Sequence, residues 1–247
     1  MESFKNADAG VIVDQLIHKI QEQRDYLSEI DGKIGDGDHG INMNKGFTMC
    51  EEKLKGQTYN LSEGLSILGE TLLDDIGGSM GPLYGMLFDE MSMACEDAED
   101  IDADMFGEMI SGAVEGIQEI SPAKVGDKSL LDTLVPAKEA FVQAKEEGKD
   151  FSECLNANEC GGRERMAVNK ESSGEDWTRK PPWREIKGCA GCGSHQLLLY
   201  HYNYRRRGKR TFIKAMYQLF KVLRHTIRDR SIRQEKSNAG CSFYRKK

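Results

Sequence analysis

The sequence has no continuous apolar run long enough to cross a bilayer as a helix, which takes about 20 residues. No signal peptide is evident at Met1, and the seven cysteines are too irregularly spaced to form the framework of a disulfide-rich secreted domain. These absences argue against membrane-spanning and secreted proteins. We therefore expect a cytoplasmic protein with no membrane partner, whose 247 residues can bury one good core.

The charge is unevenly distributed along the chain. Residues 1–156 carry a net charge of -21 and residues 157–247 carry +14, which together give the -7 of the whole chain. Both tryptophans, Trp177 and Trp183, and most of the arginines lie in the second part. Such a change in composition predicts two segments of different origin.

The first segment has no alternating strand pattern, whereas its apolar residues recur at helical spacing. These apolar stripes lie in residues 11–27, 61–76, 83–93, 106–120 and 130–145. Glycine-rich connections at 31–40, 77–81 and 122–127 lie between helices. The pattern predicts an all-α bundle with short loops, in which the stripes form the core and the loops carry the function.

The connection from 31 to 40 combines carboxylates with glycines, and the glycines allow the backbone to turn tightly and approach a ligand. Asp31, Asp36 and Asp38 can converge on this chain, and because like charges repel, such a cluster needs a cation. Mg²⁺ shared with phosphate oxygens suits it, whereas the spacing lacks the final glutamate of a calcium loop. Alternatively, the aspartates cap the helix that begins near Gly40, and spacing alone does not decide between the two.

Two further loops precede apolar helices. In G-G-S-M-G-P-L-Y-G, residues 77–85, the N–H groups at the helix start suit phosphate, but a close helix crossing explains the glycines equally well. In V-G-D-K-S-L-L-D, residues 125–132, Asp127 and Ser129 are suited to cap a helix, so taken alone this loop is an ordinary helix start.

Together the three loops resemble the L subunit of the phosphoenolpyruvate-dependent dihydroxyacetone kinases. I-G-D-G-D-H-G-I-N-M-N-K-G-F, G-G-S-M-G-P-L-Y-G and G-D-K-S-L-L-D-T-L-V-P follow the family's order and spacing, and the resemblance covers about residues 5–155. The same unit forms the nucleotide-binding domain of ATP-dependent dihydroxyacetone kinases. The resemblance implies a barrel of eight antiparallel helices that holds the nucleotide at one end, in the loops between helices.

The resemblance also implies a site for ADP or ATP with two Mg²⁺ ions. Asp31, Asp36 and Asp38 match the aspartates that bind these ions. The positions that match the family's nucleotide contacts are His39, Gly40, Ile41, Asn42, Ser79, Met80, Ser121 and Leu130. Leu130 is expected to form an apolar wall for the base, and Met80 stands where the family commonly has serine.

The reaction implied is the transfer of a phosphoryl group from the bound nucleotide to dihydroxyacetone held on a separate K subunit, within glycerol metabolism. A phosphohistidine on an M subunit of the phosphotransferase system recharges ADP. Because phosphoryl transfer depends on geometry and cations, we assign no catalytic side chain. A homodimer, a related ketose or polyol kinase subunit and a regulatory binding module remain alternatives, and we expect no nucleic acid partner.

The second segment lacks the motifs that the family carries there, G-R-A-S-x-L-G-E-R-S and D-x-G-x-x-S. Cys189 and Cys192, with Cys160 and His195 nearby, lack the second ligand pair of a zinc site, and the basic run at 205–210 is a weak nucleic-acid signal. If residues 173–196 are written as DNA with permitted codons and the reading frame is shifted by one nucleotide, the DNA can encode A-G-K-I-G-R-A-S-R-L-G-E-R-S-R-G-V-L-D-A-G-P-T-S. Because tryptophan has a single codon, the shifted frame must encode glycine at Trp177 and at Trp183, the two places where the missing motif needs it.

We therefore predict a frameshift near residues 155–158, with a nucleotide-binding domain over 1–156 and an irregular, basic, out-of-frame tail over 157–247. Such a chain lacks the closing helices and the nucleotide lid of the family. We expect an incomplete bundle whose apolar faces favour aggregation, and weak or lost nucleotide affinity and kinase activity.

Overall fold

The computed structural model describes residues 3–32, 36–127, 129–158 and 160–161 of the chain. The described part confirms the all-α prediction. Its helices are α1 (Val11–Glu22), α2 (Arg24–Gly32), α3 (His39–Leu54), α4 (Leu61–Asp75), α5 (Met80–Cys95), α6 (Ala103–Ile120) and α7 (Leu131–Glu146). Residues 151–158 are also helical. Among the described residues, we find no helix with the length and apolarity that a membrane span requires.

Residues 162–247 lie outside the described ranges. The predicted out-of-frame tail beyond residue 161 therefore remains a sequence-based prediction. Cys189, Cys192, His195 and the basic run at 205–210 also lie outside the described residues. The described residues continue past the predicted domain boundary at 156, as far as Gly161. There Asn158 is buried and its Nδ2 donates to the backbone oxygen of Ala137 at 3.1 Å.

The first apolar stripe, predicted over 11–27, is divided between two helices. The break falls at Gln23, whose backbone adopts φ -93° and ψ 2°. Its N–H donates to the carbonyl oxygens of both Lys19 and Ile20, at 3.2 and 3.1 Å. Between Ile20 and Leu27 the sequence is mostly polar, so α1 loses its apolar face where α2 begins a new one.

A short two-stranded sheet was not predicted. Strands β1 (Ser3–Lys5) and β2 (Asp100–Asp102) pair antiparallel, with Phe4 opposite Ile101. Both of these side chains are buried, and the Phe4 ring stacks on Phe151 with centroids 6.2 Å apart. Three residues per strand are too few for an alternating pattern to stand out from the flanking sequence.

One end of the bundle is held together by Asn6, which is 4% exposed. Its Nδ2 donates to the carbonyl oxygens of Cys95 and Ala98 at 3.0 and 2.9 Å. Its Oδ1 accepts from the backbone N–H groups of Leu61 and Ser62 at 3.0 and 3.3 Å. The start of α4 and the end of α5 therefore meet the N-terminal segment here, at what we call the Asn6 end.

Successive helices run antiparallel away from this end. Along α4 and α5, Ser92 Oγ donates to the carbonyl oxygen of Ser62 at 2.8 Å, and Gly85 faces Gly69 further along. Helices α6 and α7 are paired in the same way, because Lys145, near the end of α7, bridges to Asp104, at the start of α6, at 2.6 Å. The antiparallel order places the loops α2–α3, α4–α5 and α6–α7 together at the opposite end.

Candidate functional site

The end opposite Asn6, which we call the loop end, carries the three loops that the sequence singled out. They connect Gly32 to His39, Asp75 to Met80, and Ile120 to Leu131. Helices α3, α5 and α7 all begin at this end, so their unpaired backbone N–H groups are concentrated here. The first and second loops are linked by a ring contact between His39 and Tyr84, with centroids 6.3 Å apart.

Three carboxylates converge in the first loop. Asp31, Asp36 and Asp38 each place one oxygen within 4.8 Å of the others, with Asp31 buried and the other two exposed. Burial raises the pKa of Asp31, and the charge of Asp36 adds to the effect. The pKa of Asp38 is also raised, mainly by burial, and the neighbouring Asp36 and Asp31 raise it further. Three hard oxygen donors that repel one another fit a divalent cation such as Mg²⁺.

Asp31 also shapes the loop. Its Oδ2 accepts from the backbone N–H of Gly37 at 3.0 Å, and hydrogen bonds from the backbone of His39 and Asp38 lower its pKa against the effect of burial. Gly37 has φ 77°, a left-handed conformation that favours glycine. The capping alternative therefore applies to Asp31. Asp38, which is the N-cap residue of α3, makes no capping bond, and its Oδ2 instead accepts from Asn42 Nδ2 at 3.0 Å.

The four residues from His39 to Asn42 divide between the inside and the outside of α3. His39 is 5% exposed, and burial lowers its pKa to about 3, so the imidazole is neutral at physiological pH. A Cβ atom on Gly40 would overlap the carbonyl oxygen of Arg24, so α3 begins in close contact with α2. Ile41 is 51% exposed and Asn42 is half-buried, which leaves these two side chains accessible to a ligand.

In the second loop, the two explanations for the glycines apply to different residues. A Cβ on Gly81 would overlap the carbonyl oxygen of Ile76, which is the close helix crossing. Gly77 and Gly78 are exposed, and a Cβ on either would meet nothing within 4 Å. Ser79 is the N-cap residue of α5 but makes no capping bond through its hydroxyl. Met80 is 5% exposed, so its side chain belongs to the core.

In the third loop, Ser121 and Leu130 are both buried. Ser121 Oγ accepts from the backbone N–H of Ala123 at 3.3 Å. Ser129 caps the start of α7, as predicted, because its Oγ accepts from the N–H of Leu131 at 3.2 Å. The prediction that Asp127 caps the same helix is wrong, since its carboxylate accepts from the N–H of Lys124 at 3.0 Å and closes a turn before the helix.

Sequence reasoning assigned no role to Asp132, which is 1% exposed at the start of α7. Its two oxygens accept from the backbone N–H groups of Gly126 and Ser129, both at 2.8 Å. The signal was present, because an acidic residue three positions after a serine in a first helical turn is typical of a local capping arrangement. The sequence could not show that this carboxylate is buried.

The fold and the loop end define an all-helical domain with carboxylates and helix N-termini gathered on one side. Residues 33–169 match the model of the DAK2 domain. Because this match covers more than half of the 247 residues, the chain belongs to the DAK2 domain family.

Two relatives with similar sequences are named as kinase subunits. The chain is 36% identical over 126 residues to the "PEP-dependent dihydroxyacetone kinase 1, ADP-binding subunit DhaL" of Listeria innocua, covering 51% of this chain and 63% of the relative. It is 41% identical over 115 residues to the "PTS-dependent dihydroxyacetone kinase, ADP-binding subunit DhaL" of Lactococcus lactis. This match covers 46% of this chain and 57% of the relative. The chain thus spans less than two thirds of these relatives.

The structure is also similar to the crystal structure of the dihydroxyacetone kinase from C. freundii in complex with AMP-PNP and Mg²⁺. The TM-score is 0.59 with 16% sequence identity, covering 92% of this chain and 35% of that one. At this identity the likeness supports the fold alone.

Proposed function

We propose that residues 1–156 form the ADP- and ATP-binding domain of a dihydroxyacetone kinase subunit. The observation that carries the proposal is the convergence of Asp31, Asp36 and Asp38 within 4.8 Å, at the end of the bundle where α3, α5 and α7 begin. Carboxylates that hold Mg²⁺ beside backbone N–H groups suit the phosphates of a nucleotide. Relatives named as ADP-binding subunits support the same function.

The surrounding residues suit binding and orientation. Mg²⁺, when bound, neutralises charge on the phosphate oxygens. Asp31 positions the first loop through Gly37, and the exposed Asp36 and Asp38 are the more accessible ligands. His39 is buried and neutral and so contributes packing at the start of α3. Ser79 leaves its hydroxyl out of helix capping, which suits a contact with a phosphate oxygen.

The exposed side chain of Ile41 belongs to the third residue after the N-cap of α3, Asp38. We propose that it contacts either the nucleotide or the surface of a K subunit that carries dihydroxyacetone. In this proposal an M subunit of the phosphotransferase system recharges ADP, and the relatives' names, which state dependence on PEP or the PTS, are consistent with such a phosphoryl source. Co-purification of the chain with each candidate subunit tests the two partners separately, and light scattering of the chain alone tests the homodimer.

A second candidate function is a nucleotide-binding or regulatory module without kinase activity. The observation that favours it is the absence of G-R-A-S-x-L-G-E-R-S and D-x-G-x-x-S from residues 157–247. Under this proposal the carboxylate loop remains but the nucleotide is not enclosed. ADP would then bind weakly, and no phosphoryl transfer would follow when a K subunit and dihydroxyacetone are added.

The test is calorimetric titration of the full chain with ADP, in the presence of Mg²⁺ and then of a chelator. We expect weak, Mg²⁺-dependent binding of ADP, which Asp36→Asn weakens further by at least about tenfold, since metal sites lose this much when their environment is altered. Asp25→Asn, at an exposed position on α2, is the matched charge control and should bind as the unmodified chain does. Equal ADP affinity with chelator, or in the Asp36→Asn variant, would contradict the proposed site.

A kinase assay with a K subunit then separates the two candidates. Phosphorylation of dihydroxyacetone supports the subunit function, and replacing dihydroxyacetone with other short ketoses tests the substrate. Mg²⁺-dependent ADP binding without phosphoryl transfer supports the module.

A further inference from the structure

The α6–α7 loop is organised from within by one buried carboxylate. Asp132 Oδ1 accepts from the N–H of Gly126 and Oδ2 from the N–H of Ser129, both at 2.8 Å. These bonds reach back six and three residues, so a single side chain holds both sides of the turn. Because the carboxylate is 1% exposed, little water competes for these charge-assisted bonds.

The bond to Ser129 is an ordinary capping bond, but the bond to Gly126 reaches beyond the start of the helix into the turn before it. The N-cap residue of α7 is Leu130, which has no capping side chain, and Asp132 lies inside the first turn of the helix. One of its partners, Gly126, has φ 106°, a conformation that glycine allows but does not enforce. The carboxylate therefore selects one conformation of a turn that would otherwise have several.

The first loop uses the same device. Asp31 is 2% exposed, and its Oδ2 accepts from the N–H of Gly37, six residues away, which also has a positive φ. In both loops a buried aspartate on a flanking helix binds the N–H of a left-handed glycine. The repetition indicates that the shape of each loop matters beyond the stability of the helix next to it.

We propose that Asp132 is a positioning residue for the nucleotide. It holds residues 121–127 and 129–130, including Ser121 and Leu130, in the shape that meets ADP or ATP, and it acts through the backbone without touching the ligand. This inference rests on the proposed function. Asparagine at this position has one acceptor oxygen, and its NH₂ group would face the second N–H, which leaves a buried donor unsatisfied.

The experiment compares Asp132→Asn with Asp102→Ala. Asp102 caps α6 at the Asn6 end, where its Oδ1 accepts from the N–H of Met105 at 2.8 Å. The control therefore removes a carboxylate-to-backbone bond and lowers the melting temperature without touching the loop. Both variants are titrated with Mg²⁺-ADP well below their melting temperatures. We expect Asp132→Asn to raise the dissociation constant about tenfold or more, and Asp102→Ala to leave it unchanged.

Amide hydrogen exchange supplies a readout that does not depend on the ligand. In Asp132→Asn we expect faster exchange at Gly126 and Ser129, with α6 and α7 still protected. Unchanged exchange at these two amides, or unchanged ADP affinity in this variant, overturns the inference. If the unmodified chain binds no ADP, the proposed function is wrong and the nucleotide part of the inference falls with it. The exchange data then decide whether Asp132 holds the loop.

Discussion

Burial separates the roles of neighbouring polar residues in this chain. His39 and Asp38 are adjacent in sequence, yet the imidazole is buried with a pKa lowered to about 3 while the carboxylate faces solvent beside Asp36. Asp127 and Asp132 differ in the same way within one loop. An exposed carboxylate is available to a cation, whereas a buried one must be satisfied by nearby N–H groups.

The buried hydroxyl of Thr133 is an exception to the rule that buried polar groups are satisfied by hydrogen bonds. It is fully buried in the first turn of α7, and within the described part of the chain its Oγ1 has no hydrogen-bond partner. Because an unsatisfied buried hydroxyl costs free energy, we expect Thr133→Val to stabilise the fold by about 1 kcal/mol. Thermal or denaturant unfolding measures the change.

Thr71→Val is the matched control for this prediction. Thr71 is equally buried, but its Oγ1 donates to the carbonyl oxygen of Ile67 at 2.6 Å and accepts from Lys53 Nζ at 3.1 Å. The same substitution should therefore destabilise by about 1 kcal/mol. Destabilisation of similar size in both variants would show that the Thr133 hydroxyl has a partner after all.

Among the helices, the crossing of α4 and α5 depends on Gly81. A Cβ at this position would overlap the carbonyl oxygen of Ile76 and lie 2.5 Å from that of Leu72. Neither backbone atom can move without shifting the end of α4, so we expect Gly81→Ala to cost about 3 kcal/mol. Denaturant unfolding should show this loss together with little effect of Gly77→Ala, where a Cβ meets nothing within 4 Å. A small effect at Gly81 would mean that the crossing is looser than described.

The contact between α5 and α6 predicts a pH dependence. The Glu90 side chain lies against Gly116. Burial raises the pKa of Glu90, and the negative charges of Asp89, Glu119 and Glu115 raise it further. A carboxyl group whose pKa is raised in the folded state binds protons more tightly there than in the unfolded chain. Its contribution to stability therefore falls as the pH rises above the ordinary glutamate value.

We accordingly expect Glu90→Gln to raise the melting temperature at pH 7, because it removes a partly buried charge among other acids. Below pH 4.5, the ordinary value for glutamate, the native side chain is itself protonated and the difference should shrink. Melting curves of both proteins across this range check the prediction. A difference independent of pH would assign the effect to packing.

For the whole molecule, the main prediction concerns the transition from an acidic to a basic segment. We expect resequencing of the DNA across the codons for residues 153–169 to show one missing or extra base. The corrected chain should carry the G-R-A-S-x-L-G-E-R-S motif, melt at a higher temperature and bind ADP more tightly than the present chain. A confirmed sequence would instead identify a real variant, and a protease-resistant fragment from residues 157–247 would then indicate a folded basic domain.

The sequence determined most of the helices and predicted a cation site in the first loop. Helical periodicity located α4 to α7 to within a few residues, and the aspartates of the first loop were assigned to one cluster before their geometry was known. The break at Gln23 and the β1–β2 pair were missed, because a short polar interval and three-residue strands carry little periodic signal.

Tertiary structure decided which residues of each motif are exposed and which are buried. Met80 and Leu130 are buried, while Ile41 is exposed and Asp132 is bound to the backbone of the loop before it. These outcomes depend on which helix packs against which, and therefore on contacts between residues far apart in the chain. Residue type determines what a side chain can bind, but packing determines whether water, the backbone or a ligand can reach it.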